Sequence, residues 1–230
     1  MIWTLFKKEW QLYLNSLWLY ALLGVFLVLG SYFFCLLLFY TQTVTVMGFW
    51  FNNMSILVLF LAPMIGAKLI SEERQLGTLS WLKSLPISPF QLVISKFLAG
   101  FAAYGLLLGC SLAYPLTLAF LGTPDWGVIA SGYLGLLLFG GALLATSLWL
   151  SGWVGSVSMA MVLQFGVSFL LWIVGWMSRL TSGTLQTVLV NLSFLEHLSA
   201  FQKGVLMGGD LAFFGLWIAT MLYLTWLGRV

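Results

Sequence analysis

Long apolar runs separated by short polar interludes dominate this chain. Six runs, 17–40, 49–70, 97–121, 127–150, 157–178 and 211–227, come close to the roughly 20 apolar residues that a spanning helix needs. Barrel strands would instead alternate apolar and polar positions over about ten residues. These runs are continuous. The pattern predicts an all-α, polytopic membrane protein with six transmembrane helices in a single domain.

Two further segments are periodic but too polar to span. In Ile2 to Asn15, Ile2, Phe6, Trp10 and Leu14 share one helical face, and Thr4, Lys8, Gln11 and Asn15 share the opposite one. This predicts an N-terminal amphipathic helix lying in the membrane interface, the alternative being a frayed tail. In 179–210, Leu185, Val188, Leu192, Leu195 and Leu198 recur at helical spacing. One or two short helices are expected there on the outer side, dipping into the interface or packed on the bundle.

The longest polar interlude runs from Lys68 to Lys96 and gathers Glu72, Glu73, Arg74 and Lys83 between two apolar runs. Carboxylates that close to lipid must reach water, a partner or each other. Gly77 breaks the helix, and Thr78 can cap a new one. Leu79, Trp81, Leu82 and Leu85 then make a short amphipathic stretch, which Pro86 and Pro89 end. Ser88 can cap the third span. The segment 71–89 reads as a coupling helix whose apolar side chains fill a groove on a partner, or as a solvated turn anchored by Trp81.

Composition removes the soluble alternative. Of 230 residues, 62% are hydrophobic and 7% charged, against roughly 25% charged in an ordinary soluble domain. All nine Lys and Arg residues can be assigned to a side. With the N-terminus inside, Lys7, Lys8, Lys68, Arg74, Lys83, Lys96 and Arg229 are cytoplasmic, and only Arg179 and Lys203 lie outside. Both termini are therefore expected in the cytoplasm. No basic stripe of the kind that binds nucleic acid is present. Cys35 and Cys110 fall inside apolar runs, so no disulfide framework is expected. A cleaved leader is not expected either, because the first apolar run is too long and no small-residue cleavage site follows it.

The loop motif E-E-R-Q-L-G-T-L followed by L-P-I-S-P resembles the signature loop of ABC-2-type permeases. The chain as a whole resembles the short, six-span permeases of the gliding-motility and nitrous-oxide-reductase-maturation type. Gly122 to Ala145 resembles that family's turn into the fourth span, and Asn191 to Leu206 its outer segment. The resemblance implies an ABC-2, or type V exporter-like, fold in the plasma (inner) membrane of a bacterium. It implies two permease subunits, identical or homologous, working with two ABC-type ATPase subunits, and it allows an accessory membrane or extracytoplasmic protein. ATP and magnesium would sit on the ATPase subunits. Carried onto this chain, the family's coupling region falls on Glu73, Arg74, Gly77, Thr78 and Leu79, with Glu72, Trp81 and Leu82 beside them.

Absences sharpen that expectation. No G-x-x-x-x-G-K-[ST] is present to cradle phosphates, so energy must come from another chain. No H-E-x-x-H or G-x-S-x-G occurs, and His197 is the single histidine. Neither a catalytic residue nor a metal ligand set is expected in this chain, which argues against an intramembrane enzyme. The expected span interiors carry no ionisable residue, unlike those of a proton-coupled pump. Asn52, Asn53, Gln164 and Ser168 are the polar groups that could face a pathway or subunit interface, or simply join helices by hydrogen bonds. The function expected is that of an exporter permease, or of a permease that does mechanical work on an accessory protein. A haem-exporter-type permease and a non-transporting scaffold are the alternatives.

Overall fold

The computed structural model describes residues 2–41, 46–79, 87–178 and 180–228. Among them every regular element is a helix. In chain order these are α1 (Ile2–Leu14), α2 (Leu17–Thr41), α3 (Val46–Gly66), α4 (Lys68–Gln75), α5 (Pro89–Cys110) and α6 (Ala113–Leu121), followed by α7 (Trp126–Ser151), α8 (Val157–Ser178), α9 (Thr184–Leu192), α10 (Phe194–Gln202) and α11 (Gly208–Leu227). Six helical stretches are long and apolar enough to cross a membrane: Leu17–Tyr40, Val46–Gln75, Pro89–Leu121, Trp126–Ser151, Val157–Ser178 and Gly208–Leu227. Length and composition thus give a multi-pass membrane architecture.

The second and third spans are each built from two helices. α3 breaks at Ala67 and resumes as α4. α5 breaks at Ser111 and Leu112 and resumes as α6, where Pro115 cannot donate to the preceding turn. The third span also starts earlier than its apolar run suggests. Ser88 Oγ accepts from Gln91 N, and Pro89 occupies the first helical position. Lys96, expected in the loop, therefore lies inside α5.

α3 and α7 form the centre, and α2, α8 and α11 the periphery. α7 can be central because side chains from other helices press against its glycines. A Cβ on Gly132 would lie 2.2 Å from the Phe51 ring, and one on Gly140 would lie 2.3 Å from the Tyr104 ring. α10 lies inside the bundle. Its Phe194, Leu198 and Phe201 are buried, and the Phe194 ring packs 4.9 Å from Trp217 and 6.1 Å from Phe139. Ser131 Oγ donates to the Phe201 carbonyl at 2.9 Å. α9 by contrast buries no residue.

α1 packs along α5 instead of standing apart from the bundle. Its expected apolar face, Ile2, Phe6, Trp10 and Leu14, is partly covered, while Thr4, Lys8, Gln11 and Asn15 are exposed. The chain direction puts α1, α4, the start of α5, the end of α7, the start of α8 and the end of α11 at one end of the bundle.

Candidate functional site

The ionic chemistry of the bundle is concentrated at this α1 end. Lys96 is 1% exposed although it carries a charge. Its Nζ lies 2.8 Å from Glu73 Oε1 and 3.4 Å from Glu9 Oε1. Glu9 also meets Lys8 Nζ at 3.6 Å. A buried ammonium is costly unless paired, and here it joins three elements: α1, α4 and α5. The chain of alternating charges, Lys8, Glu9, Lys96 and Glu73, sums to zero.

The break between α3 and α4 is stitched from the same side. Tyr13 Oη donates to the Ile65 carbonyl at 3.0 Å, and Trp18 Nε1 donates to the Met64 carbonyl at 3.2 Å. Both partners are carbonyls of the last turn of α3, which need outside donors when a helix stops. Burial pushes the Tyr13 phenol well above its ordinary range, and the Glu9 and Glu72 carboxylates add to this. Tyr13 is therefore a fixed neutral donor. The Lys68 ammonium sits 4.7 Å from the centre of the Trp18 ring.

The last turn of α4 reaches in several directions. Glu73 meets Lys96 on α5, which in turn holds Glu9 of α1. Gln75 Oε1 accepts from the Val157 amide at 3.2 Å, so it caps the first turn of α8. Arg74 lines a cavity with Trp149 and Gly152 at the end of α7 and with Leu224 at the end of α11. Gly77 then takes φ +72°, the left-handed region that favours glycine. This one helical turn thus touches α5, α7 and α8 and reaches α1 through Lys96.

The residues expected to couple to a partner divide by exposure. Glu72, Gly77 and Thr78 are exposed, and Thr78 Oγ1 donates to the Glu73 carbonyl at 3.3 Å. Leu79 departs from expectation. It is only 7% exposed and belongs to this chain's own core, so it is not available to fill a partner's groove. Leu76, 70% exposed, is the apolar side chain this turn presents. Trp81 and Leu82 lie outside the described residues.

The candidate pathway residues do not form one cluster. Asn52 is exposed, and Asn53 Nδ2 donates to the Phe49 carbonyl of its own helix at 2.9 Å. Gln164 and Ser168 are fully buried. Gln164 Nε2 donates to the Leu143 carbonyl at 3.2 Å and to Ser168 Oγ at 3.0 Å, which ties α8 to α7.

At the opposite end, His197 on α10 meets Asp210 on α11. Nδ1 lies 2.6 Å from Asp210 Oδ1, Nε2 lies 3.1 Å from the Asn191 carbonyl, and the ring stacks on Phe213 at 4.1 Å. Both ring nitrogens are occupied by protein. Among the described residues no group of three or more His, Cys, Asp or Glu side chains is placed to hold a metal.

Sequence reasoning missed Glu9, Gln75 and the burial of Lys96. Glu9 did carry a signal. It falls at helical spacing within the Ile2, Phe6 and Tyr13 stripe, and a carboxylate in the middle of an apolar face demands a buried partner. Gln75 carried none, because its partner is a backbone amide far along the chain. In comparisons with known proteins, no family model matches the chain and no curated protein matches it.

Proposed function

We infer that this chain is the membrane-spanning permease subunit of an ABC transporter of the exporter type. It works with a second permease subunit and two separate ATPase subunits. The α1 end faces the cytoplasm of a bacterial cell, and the turn after α4 receives the ATPase. The loop motif from Glu72 to Leu79 and the basic bias of this end support that orientation.

One observation carries the reading. The last turn of α4 is bonded to α5 and α8 and packed on α7, it reaches α1 through Lys96, and it is followed directly by an exposed turn built on Gly77. A push on that turn is delivered directly to α5, α7 and α8, and through Lys96 to α1. Such a junction suits a protein whose energy source is another chain. The same machinery serves export of a cargo or mechanical work on an accessory protein.

The test is copurification with an ABC-type ATPase coexpressed from a neighbouring gene. The complex should hydrolyse ATP in a bilayer, and the isolated chain should not. Single cysteines at Leu76 and Lys203, in a background lacking Cys35 and Cys110, should label from opposite sides of the membrane. Turnover by the rigorously purified single chain, or labelling of both cysteines from one side, would end this reading.

A further inference from the structure

Arg74 has a second environment besides its neighbours on α4. It lines an open-sided cavity of about 150 Å³ together with Trp149, Trp153, Leu224 and Thr225. Among the described residues its guanidinium makes no ion pair and no hydrogen bond. Lys96, Lys8 and Lys68 at the same end each have a partner. Arg74 is a half-buried cation that still has five donors to satisfy.

The opposite wall has the opposite character. Gly152 caps α7 and Gly228 caps α11, and both line the cavity. Each helix C-terminus carries the equivalent of about half a negative charge. Two indoles, Trp149 and Trp153, stand beside them with ring centres 6.1 Å apart. A simple anion would meet the carbonyl ends, and a simple cation would meet Arg74. A ligand that carries both charges a few bonds apart satisfies both walls.

We propose that this cavity binds the headgroup of a zwitterionic phospholipid. The phosphodiester lies on Arg74, whose planar fork matches phosphate oxygens. The ammonium lies against the indole faces and the carbonyl ends of α7 and α11, as cations do over tryptophan. The depth fits. Trp149, Tyr223 and Trp226 fall at the ends of membrane-spanning helices and Trp153 in the turn just past one, where aromatic side chains mark the interface. The size fits as well. The cavity is smaller than the ~300 Å³ and above of a site that encloses a whole drug-sized ligand. It takes a headgroup and leaves the acyl chains outside, along the exposed flank of Tyr223 and Leu227. This holds whether or not the chain serves an ATPase.

The experiment is native mass spectrometry of the full chain in detergent. Dioleoyl phosphatidylethanolamine, phosphatidylcholine and phosphatidylglycerol are added singly at equal concentration. The zwitterionic lipids should be retained over phosphatidylglycerol. Arg74→Gln should weaken their retention about tenfold or more, the loss expected for a charge-assisted contact. Trp153→Leu, at an exposed position, should weaken it without disturbing the fold. Excess inorganic phosphate should not displace the lipid. Equal or stronger retention of phosphatidylglycerol would reduce the site to plain anion attraction and overturn the proposal. Displacement by phosphate would make it a soluble-anion site and do the same. If Arg74→Gln does not fold, Trp153→Leu decides alone, and wild-type retention of phosphatidylethanolamine by it also overturns the proposal.

Discussion

Lys96 Nζ and Glu73 Oε1 lie 2.8 Å apart with both side chains almost wholly removed from solvent. One sits in the second turn of α5 and the other in the last full turn of α4. They tie the end of the second span to the start of the third. Glu9 makes the pair a bridge to α1.

Breaking this network should cost more than deleting it. Lys96→Met leaves the Glu73 carboxylate without a counter-ion and Glu9 with only the exposed Lys8, and should lower stability by about 3–5 kcal/mol. The triple change Glu9→Gln, Lys96→Met, Glu73→Gln should recover most of that loss. Thermal unfolding of the purified chain in detergent reads both. A single and a triple variant with equal melting temperatures would show that the network is not coupled.

Tyr13→Phe removes only a hydroxyl, but it orphans the Ile65 carbonyl at the end of α3. A loss of about 1–3 kcal/mol follows from leaving a buried acceptor unpaired. The readout is the same unfolding assay, with protease sensitivity near the α3–α4 break as a local reporter. Unchanged stability would mean that water replaces the phenol.

Leu76 and Leu79 should separate assembly from folding. Leu76→Asp changes an exposed side chain, so the chain should insert and purify normally yet lose the proposed ATPase partner in pull-down. Leu79→Asp buries a carboxylate in the core and should reduce the amount of folded chain. The idea fails if Leu76→Asp binds the ATPase as wild type does, or if Leu79→Asp is as stable as wild type.

Gly140→Ala should be costly. Its new Cβ would meet the buried Tyr104 ring, and overpacking of this kind costs about 1–3 kcal/mol. Gly105→Ala is the control on the neighbouring helix, because nothing lies within 4 Å of its Cβ position. It should be neutral or slightly stabilising, since alanine is the better helix former. A similar loss in both would show that the effect is not one of packing.

His197→Ala should loosen α10 from α11, because it removes the contact to Asp210 and the stack on Phe213. Hydrogen exchange should rise in α10 and at the start of α11 and leave α1 and α4 unchanged. Uniform protection across both regions would show that the His197–Asp210 pair does not hold this end.

The apolar runs by themselves determined the helical class and the six spans, because a bilayer demands internally bonded backbone over a set length. They also marked Gly77 as a turn, since few other residues accept a positive φ. Tertiary structure decided what composition could not. Whether Leu79 faces a partner or the core depends on which helices stand opposite it, and its sequence neighbours fit both outcomes. That Lys96 is buried, and that Glu9 and Glu73 share it, depends on three segments far apart in the chain arriving at one end of the bundle. Gln75 reaching the first amide of α8 is likewise a fact of packing, because any polar side chain there would read the same in the sequence. Periodicity records how far each residue is from water along its own helix. It carries no record of which helix lies on the other side.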